Sequence, residues 1–141
     1  MAAQSFAYRC TIYWEDTDAG GVVYYANYLK FAERARTEMM RSAGSSHSEM
    51  IDTYDTAFAV SRCEVDYLKP ARLDDLLSVE TRVLNVGAAV VHLDQRIQRE
   101  GELLARLKIR IACLNRKGRP QRLPELVRAA LTAYRISEEL V

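Results

Sequence analysis

The sequence predicts an α+β fold in which an antiparallel sheet packs around one long helix. Between Tyr24 and Ala43 the apolar residues recur at helical spacing, and charged residues fill the opposite face. After residue 57, apolar and polar residues alternate with a period of two in four separate stretches, so each predicted strand has one apolar face. The sheet must bury that face, and the long amphipathic helix is the element that can cover it.

The N-terminal third of the chain predicts a strand, a loop and then the helix. Residues from Ser5 to Trp14 are rich in β-forming side chains and end at a polar segment that contains glycine. The helix has Asn27 as its expected N-cap and Gly44 as its expected stop. Its predicted apolar face consists of Tyr24, Tyr28, Leu29, Ala32, Ala35, Met39 and Ala43.

The rest of the chain predicts a β-meander. Ser45–Asp55 is polar and loop-like, with room for one short helical turn, and an alternating strand runs from Ala57 until Pro70 ends it. Turn signals at Asn85–Gly87 and Glu100–Gly101 are short enough for hairpins, so the strands are antiparallel. The remaining predicted elements are strands over Leu77–Val83, Val91–Ile97 and Leu103–Ile111 and a closing helix over Leu123–Leu131.

Length and composition indicate one ordinary globular domain over residues 1–141. The chain has 141 residues, of which 49% are hydrophobic and 28% charged, which excludes the disordered and fibrous classes. Twenty Lys and Arg residues against nineteen Asp and Glu residues leave a net charge of +1. No overall field therefore favours nucleic acid or an anionic membrane.

The cysteines and the apolar runs predict a cytoplasmic protein without a transmembrane segment. Cys10, Cys63 and Cys113 are far apart and lack metal-ligand spacing, which is typical of reduced thiols rather than of disulfides or a zinc site. The N-terminus has no signal peptide, and no apolar run approaches the ~18 residues of a membrane span. No metal and no cofactor are expected.

An acidic, glycine-rich loop before the helix carries the chemistry. As a calcium loop it fails, because Gly20 and Asn27 stand where ligands belong, and as a phosphate loop it lacks the glycine spacing. An ordinary turn and a catalytic loop both fit the residues Asp16 and Asp18. In the catalytic interpretation, the helix dipole keeps a carboxylate ionised, and free N–H groups at the helix start bind a developing oxyanion.

The sequence resembles the hot-dog-fold acyl-CoA thioesterases, specifically the 4-hydroxybenzoyl-CoA thioesterase group and its YbgC branch, which is associated with the Tol-Pal system. The resemblance implies a strongly curved sheet around a long helix, hydrolysis of acyl-CoA thioesters, and dimers with active sites at the interface that often pair into tetramers. It rests on three separated matches in the right order, over residues 13–24, 31–39 and 65–75.

The resemblance also assigns roles within the loop. It gives Asp18 the catalytic role, as a nucleophile or as a general base for water, and leaves Asp16 a structural one. The backbone N–H of Tyr25 is implied to polarise the thioester carbonyl. The chain departs from the branch at Tyr25, where His is common, and at Trp14, where Tyr is common. The 4-hydroxybenzoyl-CoA branch has an aromatic residue at the position of Tyr25, so hydrolysis stays the expected activity.

Substrate contacts are expected from the loop, the helix start and a basic segment. A few basic residues between Arg96 and Arg122 are expected to help to hold the CoA phosphates, while the others form a solvated sheet face. The acyl tunnel between subunits is expected to involve Tyr54, Phe58 and Tyr67. The predicted substrate-binding residues are Gly21, Val22, Tyr24, Tyr28, Lys69 and Arg72.

Other polar residues and other functions are disfavoured. Glu33 is expected to be solvated or paired, and His47 and His92 to lie on the surface. Short-chain, medium-chain and aromatic acyl groups all fit these residues. The thiol carrier is expected to be CoA or acyl carrier protein. The protein is expected to form a homodimer or a homotetramer. The alternative is a binding protein of the same fold that does not hydrolyse thioesters. Nucleic acid is not an expected partner, because aromatic residues are not interleaved with the basic ones.

Overall fold

The computed structural model describes residues 5–136, which form one five-stranded antiparallel sheet and its helices. The predicted α+β class and the antiparallel sheet are confirmed. A 3-10 turn at Trp14–Asp16 follows the first strand. The elements in chain order are β1 (Phe6–Thr11), α1 (Asn27–Ser42), α2 (His47–Tyr54), β2 (Ala57–Tyr67), β3 (Leu76–Val86), β4 (Val90–Arg99), β5 (Glu102–Leu114) and α3 (Glu125–Thr132).

The sheet is a meander with one strand added at each edge, in the order β1-β3-β4-β5-β2. The β4–β5 hairpin turns at Glu100 and Gly101, whose φ angles of 50° and 80° are both left-handed, as a tight two-residue hairpin turn requires. The pairing register shifts once in each of the β2–β5, β3–β4 and β4–β5 pairs. Such bulges bend strands, which lets the sheet curve around α1.

The inner face of the sheet packs on α1 to form the core. The strand residues that the alternation predicted to face inward, from Leu77 to Val83 and from Val91 to Ile97, are buried at every second position. The helix contributes a continuous buried stripe, and α3 closes the core with Val127 and Leu131. The buried residues of α1 are Asn27, Tyr28, Phe31, Ala32, Ala35, Met39 and Met40.

A buried glutamine fixes the helix on the sheet. Gln95 of β4 is fully buried, and its Nε2 donates to the carbonyl oxygen of Ala32 and to Thr81 Oγ1, at 2.9 Å each. Its Oε1 accepts from Arg36 Nη1 at 3.0 Å. Burial lowers the pKa of the Arg36 guanidinium. This network satisfies polar groups that the core would otherwise leave unpaired.

The start of α1 differs from the prediction. The helix begins at Asn27 rather than near Tyr24, and the N-cap position is Ala26, without a side-chain cap. Asn27 is therefore not the N-cap; its buried side chain is used by the preceding loop. Leu29 and Ala43 are exposed, because the helix presents a different stripe to the sheet. The expected stop is confirmed, since Gly44 follows with a left-handed φ of 87°.

The segment predicted as a loop is largely the helix α2. Ser46 Oγ accepts from the backbone N–H of Glu49 at 3.2 Å and caps its first turn. Met50 is buried and anchors this helix on the core. The pair Ser46 and Glu49 has capping-box spacing, which is the signal that the sequence carried for a helix here.

Strand β2 is an edge strand that α1 leaves largely uncovered. Its burial pattern contains no fully buried residue, although Phe58 and Val65 are partly buried against the core. Val60 and Tyr67 are 50% and 46% exposed. The prediction of one dry and one wet face thus fails for this strand, because His47 of α2 and Tyr28 of α1 contact only Phe58 and Tyr67 near its ends and much of its inner face stays exposed.

We expect the Gln95→Ala variant to lower the free energy of unfolding by about 2–4 kcal/mol, because it leaves Thr81 and Arg36 without their buried partner. Urea unfolding followed by circular dichroism measures the change. Gln98→Ala, on the half-buried outer face of the same strand, is the control and should cost less than about 1 kcal/mol. Equal losses in both variants would contradict the role given to Gln95.

Candidate active site

The loop before α1 is held to the helix by Asp16. This carboxylate is buried, and its Oδ2 accepts from the backbone N–H of Tyr13 at 2.9 Å. Asn27 Nδ2 donates to the carbonyl oxygen of Asp16 at 3.3 Å and to its Oδ1 at 3.4 Å. The same carbonyl accepts from the N–H of Tyr24 at 2.9 Å. Asp16 therefore fixes the geometry of the loop and does not face solvent.

Asp18 lies in the exposed bend of this loop. Its N–H donates to the carbonyl of Val22 at 2.9 Å, and its carbonyl accepts from Gly21 N–H at 3.0 Å. Its Oδ1 accepts from Gly20 N–H at 2.8 Å, whereas no donor in residues 5–136 reaches Oδ2. Gly21 has a φ of 80°, which an L side chain would strain. The turn thus orients the carboxylate and leaves one oxygen available.

Two backbone N–H groups just before α1 make no hydrogen bond within residues 5–136. Tyr24 N–H donates to Asp16, and Asn27 N–H donates to the carbonyl of Tyr24 at 2.8 Å. Between them, the N–H groups of Tyr25 and Ala26 reach no acceptor in the described part of the chain. They lie at the positive end of the α1 dipole, where unpaired donors bind anionic oxygen.

Three tyrosines form a wall beside these donors. The Tyr67 hydroxyl donates to the carbonyl of Tyr25 at 2.9 Å, and the two rings meet edge to face at 6.1 Å. Tyr28 is buried, packs edge to face on Tyr67 at 5.4 Å, and accepts from Ala71 N–H at 3.0 Å. Burial raises the pKa of both Tyr28 and Tyr67, which keeps their hydroxyls protonated. Tyr67 was predicted only as a tunnel residue, because its bond to Tyr25 spans 42 residues.

A recess of about 260 Å³ opens at this wall. Tyr25, Tyr28, Tyr67 and Lys69 line it. Tyr24 stands next to it with 46% of its surface exposed, and its ring lies 5.1 Å from that of Tyr25. The helix start and the end of β2 thus form one concave surface.

The loop residues that were predicted to contact substrate lie next to Arg72, which was predicted to do the same. Val22 pairs with Arg72 in an antiparallel bridge, and Val23 N–H donates to the carbonyl of Ala71 at 2.9 Å. The Arg72 side chain is exposed and makes no hydrogen bond or ion pair within residues 5–136, although its charge helps to lower the pKa of Asp75. Lys69 Nζ pairs with Glu102 at 2.9 Å. Gly21, Val22 and Arg72 are therefore neighbours in space.

Arg99 fastens the segment that carries Lys69 and Arg72. Its guanidinium pairs with Asp75 at 2.7 Å and with Glu102 at 2.8 Å. Burial raises the pKa of Asp75, but the hydrogen bonds from Arg99 and from the Arg72 N–H outweigh it, so the pKa lies below its ordinary value. Arg99, one of the basic residues considered for CoA phosphates, is thus engaged within the protein.

A second, apolar cavity of about 150 Å³ lies between α1 and the sheet. Phe58, Met40 and Leu131 contribute to its apolar wall, and His47 lies at its rim. The prediction of His47 as a solvated loop residue is wrong: it begins α2, is half-buried, and its Nε2 lies 2.9 Å from Thr37 Oγ1. Glu33 and His92 are exposed, as expected.

Comparison with known proteins identifies the family. A family model described as the thioesterase-like superfamily matches residues 12–131. The acyl-CoA thioesterase YbgC of Haemophilus influenzae is 40% identical over 131 residues, which are 92% of this chain and 96% of that protein. The acyl-CoA thioester hydrolase YbgC of Escherichia coli is 38% identical over 129 residues, which are 90% and 96%. A probable thioesterase from Bartonella henselae superposes with a TM-score of 0.83 at 33% identity, over 85% of this chain and 99% of that one.

A curved antiparallel sheet around one helix, with an acidic loop at the helix start, defines the hot-dog class of thioesterase folds. Within that class, the chain belongs to the thioesterase-like superfamily and is similar to its YbgC members. The predicted fold and the predicted membership of a thioester hydrolase family are confirmed.

Proposed function

We propose that this protein hydrolyses acyl-CoA thioesters at the loop that carries Asp18. The observation that supports this most strongly is that Asp18 has a carboxylate oxygen without a donor and lies in the loop that leads directly to the unused N–H groups of Tyr25 and Ala26. A nucleophile or base beside an oxyanion site is what acyl transfer requires. The relatives in Haemophilus influenzae and Escherichia coli bear names of this activity.

In the proposed reaction, the thioester carbonyl oxygen accepts a hydrogen bond from Tyr25 N–H. Asp18 Oδ2 then acts in one of two ways. It attacks the carbonyl carbon, the C–S bond breaks, the CoA thiolate leaves, and water hydrolyses the resulting anhydride. Alternatively it takes a proton from a water molecule that attacks the same carbon. In both routes the negative charge on oxygen develops opposite the helix start.

Tyr25 contributes its backbone more than its side chain in this proposal. Its ring is 63% exposed and packs edge to face on Tyr67. The Tyr67 hydroxyl holds the carbonyl of Tyr25, which fixes the peptide that carries the Ala26 N–H. A backbone N–H of Tyr25 is present whatever the side chain, so this donor does not need the histidine that is common in the YbgC branch at this position.

The substrate is proposed to lie across the loop and the tyrosine wall. Gly21, Val22, Tyr24 and Tyr28 shape the surface next to the reacting carbonyl, and the recess beside Tyr25 takes the chain attached to it. A larger role in CoA phosphate binding falls to Arg72, which makes no hydrogen bond or ion pair in the described chain, than to Lys69, which is paired with Glu102.

A dimer completes the site in this proposal. The outer edge of β2 has no strand partner in the described chain, and Val60 and Tyr67 on its inner face are half-exposed. Antiparallel pairing of two β2 strands about a two-fold axis places the Phe58 end of one strand near the Tyr67 end of the other. The apolar cavity of one subunit then adjoins the tyrosine wall of its partner. Two such dimers form the homotetramer that the resemblance implies.

The volume of the apolar cavity between α1 and the sheet favours a short or aromatic acyl group as the substrate's acyl part. Its volume of about 150 Å³ is the size that accommodates a benzene ring in an engineered protein cavity. A medium-chain acyl group would extend from it toward the tyrosine wall. Acyl carrier protein is the alternative thiol carrier, since it presents the same thioester.

Free thiols support the proposed cytoplasmic location. Cys10, Cys63 and Cys113 are unpaired, and reduced thiols are typical of the cytosol. No helix in the range 5–136 is both long enough and apolar enough to cross a membrane.

We expect Asp18→Asn to reduce kcat/KM for acyl-CoA by about 10²–10⁴-fold, because the amide supplies neither a base nor an anionic nucleophile. Thiol release from short, medium and aromatic acyl-CoAs measures this. Asp52→Asn, the same change on exposed α2, should keep wild-type turnover. If wild type is inactive and Tyr25→His gains turnover, the protein is a binder of thioesters rather than a hydrolase. An Asp18→Asn variant with full turnover would contradict the assigned role.

We expect Val60→Lys to convert the oligomer into a 16.1 kDa monomer and to abolish turnover, because a charge in the β2 interface separates the two halves of the site. Light scattering after size-exclusion chromatography gives the mass. Leu126→Lys, on the exposed face of α3, is the matched control and should leave mass and turnover unchanged. A monomeric wild type with full activity would refute the shared site.

A further inference from the structure

The carbonyl oxygen of Tyr25 accepts a hydrogen bond from a side chain rather than from the backbone. The next carbonyl along the chain, that of Ala26, accepts from Leu29 N–H at 3.2 Å. The Tyr25 carbonyl has no such backbone donor within residues 5–136, and its partner is the Tyr67 hydroxyl at 2.9 Å. Strand β2 therefore supplies a donor that the first turn of α1 does not.

Tyr67 is held on both sides, so its hydroxyl has a fixed place. Its ring packs edge to face on those of Tyr25 and Tyr28, with ring centres 6.1 and 5.4 Å apart. Directly after it, Leu68 N–H donates to the carbonyl of Leu104 at 2.8 Å, which ties the end of β2 to β5. A phenylalanine at position 67 would keep this packing and lose only the hydroxyl.

The Tyr67 hydrogen bond acts on the planar peptide group between Tyr25 and Ala26. The peptide is trans, so its C=O and N–H bonds point in opposite directions, and the Ala26 N–H points away from the Tyr67 hydroxyl. A donor on the carbonyl oxygen draws electron density from the nitrogen, and hydrogen bonds linked in this way strengthen one another. The Tyr67 hydroxyl thus makes the Ala26 N–H a stronger donor.

Tyr25 and Ala26 are the two central residues of a tight turn. Asn27 N–H closes the turn by donating to the carbonyl of Tyr24 at 2.8 Å. The N–H groups of both central residues make no hydrogen bond within residues 5–136. Successive free N–H groups in a turn form a concavity that binds anionic oxygen. Both donors are therefore available to a single oxygen atom.

We propose that the oxyanion site has two donors, the N–H groups of Tyr25 and Ala26, and that Tyr67 is the positioning residue of the second. This inference rests on the proposed hydrolysis, in which negative charge develops opposite the helix start. The Tyr67 hydroxyl does not touch the reacting carbonyl. It orients and polarises the peptide whose N–H does, and that hydrogen bond gains most when the substrate oxygen carries charge.

The kinetic test compares Tyr67→Phe with Tyr134→Phe in the whole protein. Each variant keeps its ring and loses one hydroxyl bond at an end of α1, because Tyr134 Oη lies 2.7 Å from Ser42 Oγ at the last residue of the helix. For thiol release from acyl-CoA, Tyr67→Phe should lower kcat about tenfold and leave KM roughly unchanged. Tyr134→Phe should leave both constants roughly unchanged, although thermal melts show a similar loss of stability for the two variants.

Infrared difference spectroscopy gives a readout that a merely structural role would not move. The probe is an acyl-CoA analogue in which a methylene group replaces the thioester sulfur and the ketone carbon is ¹³C. Binding to the wild type should shift the C=O stretch to lower frequency, because both N–H groups polarise the bond. The shift should be smaller in Tyr67→Phe and unchanged in Tyr134→Phe.

The two measurements separate this inference from the proposed function. A wild type that shifts the ketone stretch but releases no thiol would support the two donors and contradict hydrolysis. An active wild type whose kcat and ketone shift are the same in Tyr67→Phe would overturn the inference and leave hydrolysis standing. Equal loss of kcat in the two variants, or a ketone stretch that does not shift on binding to the wild type, would also overturn it.

Discussion

The attachment of the acidic loop to the start of α1 is the constraint on which the site depends. Asp16 is buried and holds Tyr13, Tyr24 and Asn27 through its carboxylate and its carbonyl. Asn27 is drawn into this contact, and the helix starts without a side-chain cap. The N–H groups of Tyr25 and Ala26, just before the helix, make no hydrogen bond within residues 5–136. The loop geometry that Asp16 holds therefore leaves two donors available at the positive end of the helix dipole.

The second constraint is the uncovered strand β2. A five-stranded sheet around one helix leaves the inner face of this edge strand half-exposed, although the strand carries aromatic and aliphatic residues. An exposed edge with an apolar face favours association. The same strand ends in Tyr67, which contacts the peptide that carries the free N–H group of Ala26. The proposed dimer and the proposed catalysis thus share one strand, so we expect a change in that interface to affect the helix start.

Elements with a strong period could be predicted from the sequence, whereas contacts between distant elements could not. The alternation in β3 and β4 and the helical stripe of α1 repeat over many residues, and the structure has them. Helix α2 was predicted as a loop because eight mostly polar residues give little periodic signal. The one indication of a helix in the sequence was the capping-box spacing of Ser46 and Glu49. The loop motif pointed to Asp18, but the role of Tyr67 depends on a hydrogen bond across 42 residues that no local pattern encodes. The prediction of Asn27 as the N-cap was wrong because its side chain bonds to Asp16 in the preceding loop instead of capping the helix.

The most direct measurement is a crystal structure with an acyl-CoA analogue in which a methylene group replaces the thioester sulfur, so that a stable ketone occupies the site. The account predicts a ketone oxygen about 3 Å from the backbone nitrogen of Tyr25, with Asp18 Oδ2 facing the carbonyl carbon. It also predicts that the acyl group enters the cavity of the partner subunit. A ketone bound away from the helix start, or an acyl group held within one subunit, would contradict it.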